Sequence, residues 1–162
     1  MIRRSSEHGD DFAWVRDTAI EVYLPFGDYR TIIPAWMVYP GVLTFLECDD
    51  ASGERRGFVL VGFYEPTDLP RGAYAADLIA IGVAPAHQAH GVGTRLLGYA
   101  IDFATLAGER ALVPDLRLTV AETNLGAQRM FTRAGFAVLD GEHGFYDAGQ
   151  RAIRMRRPLA SR

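Results

Sequence analysis

Residues 78–97 read as a buried strand, a short turn and a helix opened by glycine: Leu78-Ile79-Ala80-Ile81-Gly82-Val83 leads through Ala84 and Pro85 to Gln88-Ala89-His90-Gly91-Val92-Gly93-Thr94. Such a segment can hold an anion. The first turn of a helix carries amide hydrogens with no intrahelical acceptor and the positive end of the helix dipole. Glycines at 91 and 93 let an oxygen approach the backbone with no Cβ in the way. A nucleotide pyrophosphate fits this cradle, although glycines also open helices for packing alone. A dinucleotide-binding Rossmann site would need a third glycine where Leu96 stands and a parallel βαβ series around it, and the sequence has neither. His87 and His90 stand three apart in the turn, but no third ligand of metal type is near them in sequence, so no metal is expected. His90 either turns its ring to a phosphate or is simply exposed. Arg95, on the first helical turn, has the same two readings.

Several other chemistries are excluded by composition. All 17 basic residues are arginine, which removes a Walker lysine, a Schiff-base lysine and a Ser/Lys dyad. Cys48 is the sole cysteine, read as a small buried thiol, so no intrachain disulfide or multi-cysteine zinc site is available. No Gly-x-Ser-x-Gly elbow occurs. A net charge of -3 gives no electrostatic reason to expect nucleic acid or an anionic membrane as the main partner. The first residues run into acids without an apolar signal core, and no long unbroken apolar run follows, so a cytoplasmic protein is expected. The length of 162 residues with 49% hydrophobic content suits a single domain spanning 1–162.

The cradle needs elements to hold it. A short strand over residues 2–6 precedes a helix capped by Asp10 or Asp11, with Phe12, Val15, Ala19, Val22 and Tyr23 on one face. Leu24-Pro25-Phe26-Gly27 ends that helix, and residues 28–40 are ambiguous, with a short helix possible if Pro34 falls in its first turn. Residues 42–48, 57–64 and 74–83 form a three-strand meander. Residues 91–107 switch to helical spacing with Gly108 as terminator, and residues 116–121 form the next strand. Asn124 caps a further helix that Gly135 stops, and strands at 136–139 and 152–157 close the chain. Arg154, Arg156 and Arg157 read as the exposed face of that last strand. The pattern is α+β: a mixed, mostly antiparallel sheet of six to seven strands with about four helices and one strand-helix-strand crossover.

Gln88-Ala89-His90-Gly91-Val92-Gly93 resembles the Q/R-x-x-G-x-G/A pyrophosphate loop of the GNAT superfamily, the acyl-CoA-dependent N-acetyltransferases. Asn124-Leu125-Gly126-Ala127-Gln128-Arg129-Met130-Phe131-Thr132-Arg133-Ala134-Gly135-Phe136 is similar to that family's second motif, an N-x-x-A run with an aromatic seven residues on and a closing G-F. The likeness spans residues 74–136. It implies a GNAT-like fold splayed at its central parallel strand pair, residues 78–83 against 116–121. It implies acetyl-CoA as co-substrate, with the backbone of Ile81, Gly82 and Val83 pairing with the pantetheine arm. The amides of Ala89, His90, Gly91, Val92, Gly93 and Thr94 would then hold the pyrophosphate. The amide of Val83 or Ile81 would polarise the thioester carbonyl. Asn124 would bond the cofactor arm, a role compatible with a plain helix cap, and Phe131 would stand against it.

In such enzymes an amine attacks the thioester directly. An alkylammonium with pKa of about 10.4 must first lose a proton, at a cost of about 4.6 kcal/mol at pH 7, whereas a thiolate leaving with pKa of about 8.5 needs only about 2 kcal/mol of help. The base therefore matters more than the acid. Asp77, eleven residues before Gln88, resembles in placement the glutamate base of the histone-acetyltransferase branch, and Glu122 at the end of the splayed strand competes with it. Phe131 stands where many members carry a proton-donating tyrosine, with Tyr146 as possible substitute. The resemblance brings the acceptor in between residues 24–30 and 140–151. There Phe26, Tyr29, Trp36 and Tyr146 either wall a site or pack a core, and Asp28, Asp140, Glu142 and Asp147 would favour a cation. The resulting expectation is transfer of acetyl from acetyl-CoA to a primary amine of a small molecule or peptide. A non-catalytic acyl-CoA-binding module is the alternative and a homodimer the default assembly.

Overall fold

The structure, a computed structural model, describes residues 1–6, 8–139 and 141–159. Seven strands form one sheet: β1 (Ile2–Arg4), β2 (Leu43–Cys48), β3 (Arg55–Tyr64), β4 (Ala75–Val83), β5 (Asp115–Ala121), β6 (Ala137–Val138) and β7 (Ala152–Pro158), in the order β1-β2-β3-β4-β5-β7-β6. Every neighbouring pair is antiparallel except β4 and β5. Four helices cover the sheet: α1 (Asp10–Tyr23), α2 (Ile32–Met37), α3 (Val92–Ala107) and α4 (Leu125–Arg133). The mixed, mostly antiparallel α+β architecture thus matches the expectation from sequence. No helix among the described residues is long and apolar enough to cross a membrane.

The strands are apolar on both faces because both faces are covered. In β3, Phe58 and Leu60 join Val15 and Ala19 of α1 and Ile33 and Met37 of α2, while Val59 and Val61 join Leu96, Leu97 and Ala100 of α3 and Phe131 of α4. Between Leu60 and Val61 the register with β4 slips, pairing Leu60 with Ala80 but Val61 with Leu78. Ile79 is therefore an extra residue, and Ile79 and Ala80 both pack toward the α1 side, as a β-bulge requires.

The ambiguous stretch resolves into α2, with Pro34 in its first turn, where its missing N–H breaks no helical bond. Two local expectations are corrected. Neither Asp10 nor Asp11 caps α1, whose N-cap is Gly9 with φ 81 and no side-chain bond. Asp11 is drawn instead into bonds with Arg3 at 2.6 Å and Arg55 at 2.8 Å, because charged guanidinium donors hold a carboxylate more strongly than a helix amide does. Gly108 does end α3 as its C-cap, at φ -62, and the chain then tightens into a further turn through the Leu106 and Ala107 carbonyls. Gly135 does adopt the left-handed stop, at φ 88. Finally, β7 does not expose all its arginines. Arg157 Nε donates to the Ala134 carbonyl at 2.7 Å, while Arg154, on the opposite face, donates to Tyr64 Oη at 3.0 Å.

Candidate active site

The parallel pair is short. β4 and β5 are in register only at Ala76–Leu116, Asp77–Arg117 and Leu78–Leu118. Beyond that point β4 stays with β3 as far as Val83, and β5 stays with β7 as far as Ala121, so the two strands part and leave a wedge. α3 and α4 follow the carboxyl ends of these strands, so two helix N-termini with unpaired amides open at the wedge. That is where open α/β arrangements bind ligands.

The loop before α3 is held in shape by its own bonds. Gln88 Nε2 donates to the Val83 carbonyl at 3.1 Å, tying the loop to the end of β4, and His90 Nδ1 lies 2.7 Å from the Gln88 carbonyl. Ala89 and Gly91 both have positive φ, 62 and 75, and the turn at Gly91 is one that a side chain would strain. A Cβ at Gly93 would project between Met130 Sδ and Val83 Cγ2, at 3.4 and 3.6 Å, so glycine keeps the wedge clear there. Gly82 is glycine for a different reason: a Cβ would meet the Phe58 ring at 2.5 Å. Arg95 turns away from the loop amides to Glu47, at 2.6 Å, and to the His90 carbonyl, at 3.2 Å. His87 Nε2 meets Glu54 at 3.1 Å, so the two loop histidines serve separate partners.

Two cavities meet at the wedge. One, of about 530 Å³, lies under the loop, and every cofactor-side residue named from the sequence lines it except His90. Asn124 Oδ1 accepts the Ala127 N–H at 3.2 Å and so does cap α4 while lining this cavity. Phe131 is buried, with its ring 5.9 Å from that of Phe136. The other cavity, of about 610 Å³, lies on the α1–α2 side and contains Asp77, Asp147, His143, Tyr29, Trp36 and Tyr146. Phe26 lines only the first cavity.

Asp77 sits beside the splay, partly buried, and its carboxylate makes no hydrogen bond to another described residue. Burial pushes its pKa up to about 6, against the weaker pull of Arg154 and Arg117. Those arginines are held elsewhere: Arg117 by Asp115 and Asp68, both at 2.9 Å, and Arg154 by Tyr64. His143 Nδ1 accepts the Arg154 N–H at 3.0 Å. Glu122 lines neither cavity. Its carboxylate accepts the Arg151 N–H at 3.0 Å and so fastens the end of β5 to the start of β7.

A roof spans the two cavities. Ala148 donates to the Phe26 carbonyl at 3.1 Å, Gln150 Nε2 to the Pro25 carbonyl at 2.9 Å, and the Phe26 and Tyr146 rings lie 5.6 Å apart. A Cβ at Gly27 would stand 2.9 Å from Asp147 Cβ, so glycine permits the loops to close. Burial raises the Tyr146 pKa. Of the acids expected at the acceptor mouth, Asp147 is the only described one that reaches the cavity. Asp28 is paired with Arg30 at 2.6 Å, Glu142 is exposed, and Asp140 lies outside the described residues.

Tyr23, on the apolar face of α1, has a second role that the sequence does not announce. It lines both cavities, and its hydroxyl accepts the Ile81 N–H at 3.1 Å and lies 3.3 Å from the Ile81 carbonyl. Its signal in the sequence was only its place as the last residue of α1, next to the Leu24-Pro25 break.

A seven-stranded sheet splayed at its one parallel pair, with a glycine-opened helix at the mouth, is the architecture of an acyl-transferring fold. The chain's residues 12–136 match the family model "Acetyltransferase (GNAT) family", and the protein belongs to that family and is an acetyltransferase. Among solved structures it is similar to a nourseothricin acetyltransferase, at 30% identity over 75% of this chain and 67% of that one, with a TM-score of 0.59. The ribosomal-protein-S18-alanine N-acetyltransferase of Escherichia coli shares the fold at 22% identity, covering 100% of this chain and 96% of that one with a TM-score of 0.72. So does NAA60 of Arabidopsis thaliana in complex with a bisubstrate analogue, at 16% identity, full coverage of both chains and a TM-score of 0.78. No curated protein matches the chain.

Proposed function

We propose that the protein transfers the acetyl group of acetyl-CoA to a primary amine, by direct attack in a ternary complex. The observation that carries this reading is the meeting of two cavities at the splay, one under an anion cradle and the other beside a carboxylate with a raised pKa. The residues present suit the co-substrate. The amides of residues 89–94 face the pyrophosphate, and Gln88 holds the loop that presents them. The edge of β4 at Gly82 and Val83 takes the pantetheine arm, with Asn124 and Phe131 on its other side, while Ile81 lines the same cavity with its N–H and carbonyl already engaged by Tyr23. Acetyl-CoA supplies the activated acyl group.

Asp77 is the base in this reading. At a pKa of about 6 it is about nine-tenths ionised at pH 7, yet it binds a proton about two units more tightly than an ordinary carboxylate. That places it near the optimum for taking a proton from an ammonium at neutral pH. Glu122, committed to the Arg151 amide away from both cavities, has a fastening role. Phe131 cannot protonate the thiolate, and Tyr146, its pKa raised by burial, is a reluctant donor. The thiolate takes its proton from water, for which only about 2 kcal/mol is required. The aromatic walls at Tyr29 and Trp36 and the Asp147 carboxylate suit a cationic amine with an apolar body, on a small molecule or a peptide.

The test is release of free thiol from acetyl-CoA against a panel of amines, alongside calorimetry with CoA. Amine-dependent thiol release with measurable CoA binding is expected. Absence of both heat and thiol release would remove the reading.

A further inference from the structure

If the acyl carbon is to touch both substrates, it must lie where the two cavities join. Five residues line both: Tyr23, Leu78, Ile79, Thr119 and Tyr146. Three of them carry hydroxyls. Among the described residues those of Thr119 and Tyr146 have no hydrogen-bond partner, Thr119 is exposed, and Tyr146 rides on the roof loop. Tyr23 differs. Its oxygen is pinned by the Ile81 N–H at 3.1 Å, and its ring is wedged against Tyr29 at 5.3 Å and Phe26 at 6.2 Å.

We infer that the Tyr23 hydroxyl is the hydrogen-bond donor to the acyl carbonyl oxygen during transfer, fed by the amide of Ile81. The Ile81 N–H faces away from β3 into the wedge, where a strand-edge amide would otherwise meet that carbonyl itself. It is spent on Tyr23 Oη instead. Accepting this bond polarises the O–H and makes it a stronger donor. The hydroxyl's own hydrogen goes to the Ile81 carbonyl across 3.3 Å, the longer of the two contacts. Turning about the ring C–O bond re-aims it with no movement of the backbone. Burial pushes the Tyr23 pKa up to about 12, so the group keeps its hydrogen throughout the neutral range and acts as a donor of a hydrogen bond, not of a proton.

The step rests on the acetyl-transfer reading above. The amine nitrogen forms the new bond to the carbonyl carbon, and the carbonyl π pair moves to oxygen, where Tyr23 O–H stabilises it. Asp77, having taken the first proton from the ammonium and released it to solvent, takes the proton that remains on nitrogen after attack. Collapse restores the carbonyl and breaks the C–S bond, and sulfur leaves with its pair as thiolate.

Tyr23→Phe keeps the wedged ring and deletes only the hydroxyl. Its kcat is expected to fall about 10²- to 10³-fold, the range for loss of one oxyanion donor, while CoA affinity by calorimetry stays within about threefold. A folded variant with kcat within about threefold of wild type overturns the proposal. A second readout does not depend on turnover: the infrared stretch of ¹³C-labelled acetyl-CoA bound to the wild-type protein is expected below its solution value, and to move back up in Tyr23→Phe. A bound stretch at or above the solution value in wild type overturns the assignment even if the variant fails to fold. Wild-type protein that shows neither thiol release with any amine nor CoA binding overturns the acetyl-transfer reading itself, and this step with it. Turnover in wild type that survives in Tyr23→Phe overturns the step alone.

Discussion

Asp11 and Asp77 are two partly or wholly buried aspartates on the same side of the sheet, and their surroundings drive them in opposite directions. Asp11 stands at the start of α1 between Arg3 and Arg55, whose guanidinium groups bond both its oxygens, and these bonds hold its pKa well below the usual carboxylate range despite burial. Asp77 stands beside the splay, with its nearest arginines bonded to other partners, and burial dominates. The first is a carboxylate made permanent by its neighbours, which fastens β1, α1 and β3 together. The second is a carboxylate kept short of partners next to a cavity. A charge with its bonds filled can stabilise a fold but has no capacity left to take a proton, whereas one left unfilled destabilises the fold and remains available.

Substitutions at the two sites should separate these roles. The largest effect is expected from Asp77→Asn, which should lower kcat/KM for the amine about 10²- to 10⁴-fold at pH 7 and abolish the acid limb of the pH–rate profile centred near its pKa of about 6. An unchanged profile in thiol-release assays would exclude Asp77 as base. Asp11→Ala leaves Arg3 and Arg55 without their shared partner. Because both arginines are partly exposed, at 37% and 29%, a loss of about 3 kcal/mol in urea unfolding is expected, at the lower end for breaking a buried pair. Turnover per folded molecule should survive.

The pH dependence of stability sharpens the contrast. The folded-state pKa of Asp77 lies above its unfolded value. Its contribution is therefore full below about pH 4 and is lost as pH rises through about 6, so Asp77→Asn should gain about 2–3 kcal/mol at pH 8 and little at pH 4. Asp11 has the opposite sign: its folded-state pKa is depressed, so its contribution is present above about pH 4 and disappears as pH falls below that. Urea titrations across pH 3–8 of wild type and both variants would reveal crossing profiles. The smallest effect is expected at Phe131→Tyr, which restores a phenol near the departing sulfur. Its kcat should change by less than about tenfold in the thiol-release assay, since protonating the thiolate requires only about 2 kcal/mol.

Much of the fold was legible because its signals are local. The glycines at 91 and 93, the cap at Asn124 and the stop at Gly135 act within a turn of where they stand, and the strands and helices they bound fall within a few residues of expectation. The cavity under the loop was legible for the same reason, being built from two short motifs that each open a helix. The arginines of β7 were misread because alternation along a strand says which residues share a face, not whether that face is covered. Arg154 reaches Tyr64, 90 residues away in sequence. The cap expected from Asp11 failed because an arginine 44 residues further along the chain competes for it.

Residue order alone determined most of the helices and strands and where a glycine-opened turn leads into α3, because propensity, periodicity and capping act between near neighbours. Only the tertiary structure decided that Glu122 is spent on an amide while Asp77 is left unpaired, and that the hydroxyl of Tyr23 arrives from α1 at the amide of Ile81 on β4. Burial and charge pairing depend on what lies across the sheet, and chain proximity does not encode it.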